Sequence, residues 1–379
     1  MKRNKNRFYT TGLDNTIFLT YLALCLIGLL VLLDVSSFFK SLNIFYRQGA
    51  YFLISLVIVL VITYALDISR FRLIPYLLMI ISTVLLVAVL RFGFEAGGAI
   101  RQIRIWFISF QPSTITRLAL VFFYAFILSK YSEQLQEAKI LEFIKRFPVL
   151  ITMTILSFAL IYFQRHFSAF AISGATLFCM LFFAGLRKRI LILIVVLGIF
   201  SSYLILSHGD EFRKDRIKLF QKHSLFYRDH NVEISPDLER QVEKSLTVMS
   251  QGGLLGTGVS RGRAKHFFLP DAHTDYIYSV IGEEFGFLGA LLILALHSVL
   301  FFQILRISMR QENLYLRYLC AGLGLNIFLN VLVNTGVAMS IIPATGTTLP
   351  FISYGGTALV VDSASVGVVL SISAKRKTV

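Results

Sequence analysis

The sequence has few cysteines and few charged residues for its length. Its three cysteines, Cys25, Cys179 and Cys320, all fall inside apolar stretches, so they offer no disulfide framework. Charged residues make up only 15% of the 379 residues, whereas hydrophobic residues make up 56% and the mean hydropathy is +0.72. These values exclude an ordinary soluble globular protein and indicate a chain that folds within a membrane.

Features of several other protein classes are also missing. There is no short-period repeat, no low-complexity tract and no soluble domain at either end, so we expect residues 1–379 to form a single membrane domain. The first apolar run is too long for a cleaved signal peptide and is followed by LLDVSSFFK rather than a small-residue cleavage site. The stretch GGLLGTGVSRGR precedes no strand, which excludes a dinucleotide-binding loop.

Long apolar runs are what the sequence has in abundance. Ten of them reach roughly 17 residues or more, about the length of a helix that crosses ~30 Å of hydrocarbon. They predict an all-α fold, a polytopic integral membrane protein with ten transmembrane helices. The runs are Ile17–Leu33, Gly49–Leu66, Leu73–Leu90, Ser113–Ser129, Phe147–Phe163, Phe167–Leu186, Ile190–Ser207, Tyr276–Leu305, Leu319–Val337 and Thr348–Ile372.

The net charge of +16 is distributed unevenly along the chain. If the amino terminus is cytoplasmic, nineteen Lys and Arg lie on the cytoplasmic side and six in the short outer loops. This positive-inside distribution predicts that both termini are cytoplasmic. The basicity is therefore mainly an orientation signal, and it does not indicate a nucleic-acid partner.

One connection is much longer than the others. By the alternation of spans, residues 208–275 form a large extracytoplasmic loop between spans seven and eight, with residues 224–231 outside. Within this loop, SPDLERQVEKSLTVMSQGG has a helix start at Ser235-Pro236 and a stop at Gly252-Gly253. Its apolar residues share one face, so we expect this helix to lie on the outer surface of the bundle.

Ionisable groups beside hydrocarbon are costly unless they are paired or wetted, which makes each one a functional candidate. Arg47, Arg101 and Arg104 lie in outer loops and Arg117 in the fourth span. The planar fork of arginine suits phosphate or carboxylate, so such a cluster would fit a lipid-linked phosphate. The alternative for each is a solvated or snorkelling side chain.

Asp275 lies where the large loop re-enters the membrane. A partly dry carboxylate near arginines has the properties of a general base whose pKa can be tuned. His273 and Asp271 could instead hold a metal, although the sequence contains no second ligand cluster. Further along, Asp362 in the tenth span is a candidate partner for a buried base.

The ninth span carries Asn326, Asn330 and Asn334, which share one helical face. Amides in this arrangement commonly form hydrogen bonds to neighbouring helices.

Three stretches resemble the SEDS family (shape, elongation, division and sporulation) of polytopic peptidoglycan polymerases. They are FLPDAHTDYIYSVIGEEFGFLG, IPATGTTLPFISYGGTAL and GAIRQIRIWFISFQPSTITR. The ten-span layout and the large loop after span seven agree with the family, so the resemblance covers nearly the whole chain. The first two stretches look more like the septal, FtsW-like branch than the elongation, RodA-like branch.

The resemblance implies glycosyl transfer on lipid II, an undecaprenyl-diphosphate-linked disaccharide pentapeptide, at the outer face of the bacterial cytoplasmic (inner) membrane. It also implies two kinds of partner, a class B penicillin-binding transpeptidase and membrane proteins of the divisome or elongation complex. The family's essential aspartate falls on Asp275, the expected catalytic base. A divalent cation could share in neutralising the diphosphate, but the sequence shows no metal site. The expected substrate-binding residues are Arg47, Arg101, Arg117, His273, Lys265, Glu284 and Ser353.

The chain also departs from the family pattern. Gln102 replaces a tryptophan, Thr114 a glutamate and Arg117 a lysine, and His166 stands in a stretch that lacks the family's acid. Three alternatives therefore stay open: a lipid II flippase, an elongation-type polymerase, and a weakly active scaffold paralogue. A transporter usually shows inverted repeats, and the sequence has none that we detect.

Overall fold

The structure is a computed structural model. It describes residues 8–10, 12–38, 42–68, 73–96, 99–105, 108–137, 139–207, 211–223, 236–262, 272–374 and 376–378. Lys265, Asp271 and residues 224–231, about which the sequence makes predictions, lie outside the described residues.

The described part of the chain is mostly helical, and a helix lies in each of the ten apolar runs. Four further helices lie in the connections between them. In chain order the helices are α1 (Asn15–Phe38), α2 (Asn43–Ala65), α3 (Ile74–Phe92), α4 (Pro112–Lys130), α5 (Ser132–Glu137), α6 (Ile140–Arg146), α7 (Pro148–Phe163), α8 (Phe167–Phe183), α9 (Lys188–Ser207), α10 (Glu211–His223), α11 (Pro236–Gln251), α12 (Ile277–Met309), α13 (Leu314–Ala338) and α14 (Gly356–Ser373).

Seven helices within the described residues are long and apolar enough to cross a membrane: α1, α2, α3, α4, α12, α13 and α14. The pair α6 and α7 adds an eighth if it counts as one span, although the two helices meet at 85°. The chain is therefore a multi-pass membrane protein. One boundary differs from the prediction, because residues 348–355 of the last apolar run are not helical and α14 begins at Gly356.

Helices α4 and α13 lie at the centre of the bundle. In the most apolar 18-residue stretch of each helix, the buried share is 78% for α4 and 67% for α13, against 28% for α2, α3 and α12. Helix α4 packs on α3, α8 and α13, while α14 packs on α2 and α12 on α13. The outer helices thus leave apolar side chains for lipid, as bilayer-facing helices do.

Two small sheets accompany the helices, so the prediction of an all-α fold was incomplete. Strands β2 (Phe94–Ala96), β3 (Ala99–Ile105) and β4 (Ile108–Phe110) form an antiparallel sheet between α3 and α4. Strands β1 (Phe8–Thr10) and β5 (Arg376–Thr378) also pair antiparallel, which brings the two ends of the described chain together.

Helices α10 and α11 lie within residues 208–275, the segment predicted to form the large loop, and the predicted bounds of α11 are confirmed. Val242 and Val248 of α11 are buried where this helix packs against α12 and α13. The Ser245 Oγ atom lies 2.6 Å from the Ser279 Oγ atom and donates to the Ala338 carbonyl over 3.0 Å. The helix is therefore fixed to the end of the bundle by both apolar and polar contacts.

The glycine-rich stretch after α11, residues 252–258, packs against the first part of α12 and is called the strap below. Helix α12 is interrupted at Gly286, whose φ of 68° and ψ of −167° are non-helical. The backbone groups freed there bond to the strap: Thr257 N–H donates to Glu283 over 2.9 Å, and Phe287 N–H donates to Gly253 over 2.9 Å. Backbone groups within a membrane protein require such internal partners.

Candidate functional site

The site is built around a non-helical segment between α13 and α14, residues 340–355, which is called the crossing segment below. Its carbonyl groups are held from three different elements. Ala344 accepts from Arg216 of α10 over 2.7 Å, Thr345 accepts from Ser168 of α8 over 3.2 Å, and Thr347 accepts from Asn334 of α13. These hydrogen bonds give partners to backbone carbonyls that have none within a helix, and they fix the segment across one end of the bundle.

The turn that carries Asp275 lies directly against this segment. Asp275 is half-buried and precedes α12, and its backbone carbonyl accepts from the Asn334 amide over 3.0 Å. The Tyr354 N–H donates to the His273 carbonyl over 2.9 Å. The Asp275 backbone is therefore held on both sides before any ligand binds.

Arg101 and Asp275 meet across Gly346. A Cβ atom built on Gly346 would lie 2.8 Å from the Arg101 Nη1 atom and 3.4 Å from the Asp275 Oδ2 atom. Gly346 also has a φ of +73°, a conformation that glycine adopts without steric cost. The glycine thus leaves open the space where the guanidinium of β3 and the carboxylate before α12 face each other.

A polar cavity of about 310 Å³ opens at this point. Its walls come from α2, the β3 strand, the residue before α4, the turn before α12, the crossing segment and the start of α14. The cavity is lined by Tyr51, Arg101, Gln102, Gln111, His273, Thr274, Asp275, Gly346, Thr348, Tyr354, Gly355, Gly356, Thr357 and Ala358.

His166 lies behind the cavity in a network of hydrogen bonds. Its Nδ1 atom is 2.8 Å from the Ser113 Oγ atom, and the Gln111 amide, which lines the cavity, lies 3.3 Å from its Nε2 atom. Burial, together with the positive charges of Arg101, Arg117 and Arg216, holds the pKa of His166 well below its usual range. His166 is therefore a neutral hydrogen-bonding group at physiological pH.

Arg117 does not line the cavity. It is buried in α4, with 6% of its surface exposed, and the charge of Asp362 on α14, which is 1% exposed, acts on it. Neither carboxylate oxygen of Asp362 accepts a hydrogen bond among the described residues, so an ion pair between Asp362 and a buried base stays a prediction.

The other predicted substrate-binding residues occupy different positions. Arg101 and His273 line the cavity with Asp275. Arg47 is exposed on α2, one turn before the cavity residue Tyr51. Ser353 and Glu284 are buried outside the cavity lining.

Ser353 has a structural role in the fold. Its hydroxyl donates to the Thr274 carbonyl over 2.6 Å and accepts from the Leu349 N–H over 2.8 Å. The side chain that the resemblance suggested for substrate therefore fastens the turn next to Asp275. Glu284 lies beside the glycine strap, where its carbonyl accepts from the Gly258 N–H over 3.1 Å.

Sequence reasoning missed Arg216, which donates to the Ala344 carbonyl although it belongs to the predicted large loop. It is one of eleven basic residues in that loop and carries no motif that distinguishes it. Gly346 lies within one of the stretches that resemble the SEDS family, and its positive φ could not be read from the sequence. Within the described ranges, no group of three or more His, Cys, Asp and Glu is placed to hold a metal ion.

Comparison with known proteins agrees with this architecture. The profile of the FtsW/RodA/SpoVE family, described as "Cell cycle protein", matches residues 14–378. The chain is 30% identical to a probable peptidoglycan glycosyltransferase FtsW of Geobacter metallireducens, over 96% of this chain and 95% of that one. It is 32% identical to stage V sporulation protein E of Bacillus subtilis, over 78% of each.

Solved structures show the same fold. A chain from a structure titled "Structural coordination of polymerization and crosslinking by a peptidoglycan synthase complex" aligns with a TM-score of 0.76 and 23% identity, over 96% of this chain and 98% of that chain. The rod shape determining protein RodA of Thermus thermophilus aligns with a TM-score of 0.68 and 23% identity, over 96% and 97%. The protein described here belongs to the FtsW/RodA/SpoVE family.

Proposed function

We propose that this protein is a peptidoglycan glycosyltransferase that polymerises lipid II into glycan strands for septal wall synthesis. The observation that carries the proposal is the placement of Arg101 and Asp275 on either side of Gly346 in a polar cavity. The relatives named as probable peptidoglycan glycosyltransferases FtsW, at about 30% identity over nearly the whole chain, support the same reaction.

Asp275 is the proposed general base. The acceptor 4-hydroxyl attacks the anomeric carbon of the donor sugar, forms the new glycosidic C–O bond and gives its proton to the carboxylate. The bond from the anomeric carbon to the diphosphate breaks, and its electron pair stays on the departing oxygen. A half-buried carboxylate that faces a guanidinium across Gly346 suits this role, because it is only partly solvated.

Arg101 is the proposed partner of the leaving group. Its guanidinium faces the carboxylate across the open side of Gly346, where charge develops on the diphosphate. The cavity, at about 310 Å³, lies at the lower end of ligand-pocket volumes. It therefore accommodates the reacting sugar and diphosphate, while the peptide and the isoprenoid chain extend beyond it.

The proposed setting is the outer face of the bacterial cytoplasmic membrane, with ten spans and both termini in the cytoplasm. The pairing of β1 with β5 supports an even number of crossings, because it brings the two ends together. The contact of α10 with the Ala344 carbonyl and the packing of α11 on α12 support a position of the site on the same side as the proposed large loop. A class B penicillin-binding transpeptidase is the proposed partner, supported by the fold match to a chain from a peptidoglycan synthase complex.

The deciding experiment uses the purified full-length protein in detergent with labelled lipid II, with and without a class B penicillin-binding partner. We expect glycan strands from the wild type. Asp275→Asn keeps the size of the side chain but removes the proton acceptor, so the rate should fall about 10²- to 10⁴-fold. Lipid II binding and the melting temperature should change little, since a half-buried side chain contributes little packing.

Glu284→Gln is the matched control, because Glu284 is a carboxylate in the same signature but outside the cavity lining. Its effect on the rate should be smaller. Polymerisation by Asp275→Asn at the wild-type rate would falsify the assignment. Translocation of lipid II by the wild type in liposomes without polymer would favour a flippase, and neither activity would favour a scaffold.

A further inference from the structure

Two tyrosines from distant parts of the chain line the cavity together with Asp275. Tyr51 lies on α2 and Tyr354 on the crossing segment, and both are half-buried. The ring of Tyr354 lies 5.8 Å from the ring of His273, measured between centroids, at an angle of 51°. Because the Tyr354 N–H also donates to the His273 carbonyl, Tyr354 adjoins the turn that carries Asp275. The cavity therefore has an aromatic part beside the candidate base.

The ring of Tyr51 is held in place by the first residue of α14. A Cβ atom built on Gly356 would lie 2.7 Å from the Tyr51 Cδ2 atom and closer still to its Cε2 and Cζ atoms. Interiors are packed too densely to admit such an overlap, so only a residue without a side chain allows the ring to lie there. Gly356 is two residues after Tyr354. The start of α14 thus brings both tyrosines to one cavity.

The hydroxyl groups of these two tyrosines have no hydrogen-bond partner among the described residues. Buried tyrosines elsewhere in the bundle do have one: the Tyr21 hydroxyl bonds to Ser363 over 3.0 Å, and that of Tyr278 bonds to the Ala290 carbonyl over 3.2 Å. A tyrosine combines an apolar ring with a polar tip that normally finds a partner when it is buried. At Tyr51 and Tyr354 both parts are available to a ligand.

We infer that Tyr51 and Tyr354 bind a sugar ring of the lipid-linked disaccharide next to Asp275. This inference rests on the proposed function and deepens it, because it names the residues that recognise the carbohydrate. The C–H groups on one face of a pyranose pack on the electron-rich face of an aromatic ring. The hydroxyl groups of the sugar both donate and accept hydrogen bonds, as the tyrosine hydroxyl does. Together these contacts hold the sugar with a hydroxyl toward the carboxylate.

The alternative is that the two rings only pack at the end of the bundle, where tyrosines are common in membrane proteins. The two roles differ in what they predict. If the rings only pack, truncation lowers the melting temperature without ligand and changes the affinity for all lipids alike. If they bind sugar, the loss of affinity depends on whether the lipid carries the disaccharide.

The test measures the binding of three lipids to the purified full-length protein in detergent: lipid II, lipid II without its pentapeptide, and undecaprenyl diphosphate. We expect Tyr51→Ala to weaken the binding of the two sugar-bearing lipids about ten- to hundredfold and to leave undecaprenyl diphosphate unaffected. Tyr354→Ala should give the same pattern.

Tyr51→Phe keeps the ring against Gly356 and removes only the hydroxyl. Its loss for the sugar-bearing lipids should be smaller, about two- to fivefold, at an unchanged melting temperature. Tyr64→Ala is the matched control, because Tyr64 is an exposed tyrosine of the same helix outside the cavity lining. It should bind all three lipids as the wild type does.

Equal losses for all three lipids, or wild-type affinity in Tyr51→Ala, would overturn the inference. A loss for lipid II alone would do so too, because it would assign the contact to the peptide. If Tyr51→Ala gives no folded protein, Tyr51→Phe decides, and unchanged affinity for the sugar-bearing lipids would then refute the inference. Because binding is measured without turnover, a wild type that binds lipid II through these tyrosines but makes no glycan would refute the proposed function separately.

Discussion

The side-chain amide of Asn334 donates a hydrogen bond to the backbone carbonyl of Asp275, with 3.0 Å between the nitrogen and the oxygen. The same nitrogen donates to the Thr347 carbonyl. One buried amide of α13 therefore joins the turn of the candidate base to the segment that carries Gly346. Of the three asparagines on this face, Asn334 bonds to neighbouring elements as the sequence indicated, whereas the buried Oδ1 atoms of Asn326 and Asn330 accept no hydrogen bond among the described residues.

Asn334→Leu should reduce stability and activity together. The substitution removes the donor from two carbonyls, and an unmatched buried acceptor costs about 1–3 kcal/mol. The melting temperature in detergent and the rate of lipid II polymerisation are the measurements. Asn326→Leu is the control on the same helical face, because its buried Oδ1 atom accepts no bond among the described residues. Equal losses in the two variants would contradict a specific role for Asn334.

Gly346→Ala should lower activity more than stability. The new methyl group would lie 2.8 Å from the Arg101 Nη1 atom, so the guanidinium must move away from Asp275. The positive φ adds about 1–2 kcal/mol of backbone strain. Polymerisation and melting temperature are compared with those of Gly49→Ala, where a Cβ atom meets nothing within 4 Å in the described structure. A wild-type rate in Gly346→Ala would show that this gap is not needed.

Gly256→Ala should prevent the strap from docking on α12. A Cβ atom there would lie within 2.1 Å of the Glu284 carbonyl oxygen, which is backbone and cannot rotate away. We expect a large fall in folded yield and melting temperature. Gly253→Ala is the matched control, because Gly253 also has a positive φ but a Cβ atom on it meets nothing within 4 Å. Similar losses in both variants would attribute the effect to backbone strain rather than to the clash.

Stability should decrease as the pH falls below about 6.5 because of His166. The unfolded chain takes up a proton there near the ordinary histidine pKa of about 6.5. Burial and the arginines hold the pKa of His166 in the folded protein well below that value. The unfolded state then binds more protons, so the free energy of unfolding decreases with acidification. The contribution of His166 is fully present above about pH 6.5 and is lost as the pH falls below it. His166→Gln, measured by thermal unfolding at pH 7.5, 6.5 and 5.5, should show a shallower decline. An unchanged slope would mean that another group controls the pH dependence.

Part of the site could be predicted from the sequence, and the physical reasons differ from residue to residue. Asp275 stood out because a carboxylate beside hydrocarbon is costly, and the structure places it in the cavity with Arg101 and His273. The resemblance implies a substrate role for Ser353, but its hydroxyl bonds to the Thr274 carbonyl and the Leu349 N–H within the fold. Sequence position does not show whether a hydroxyl faces a cavity or a neighbouring carbonyl.

The sequence by itself determined the membrane class, the places of the ten apolar helices and α11, because these depend on local hydrophobicity, periodicity and helix-end signals. Only the tertiary structure decided that Thr348 to Gly355 is not helical, that a three-stranded sheet carries Arg101, and that Arg216 reaches the site from α10. These features depend on partners distant in the chain. The carbonyl of Ala344 needs no partner within a helix, because Arg216, more than a hundred residues earlier, supplies its hydrogen bond.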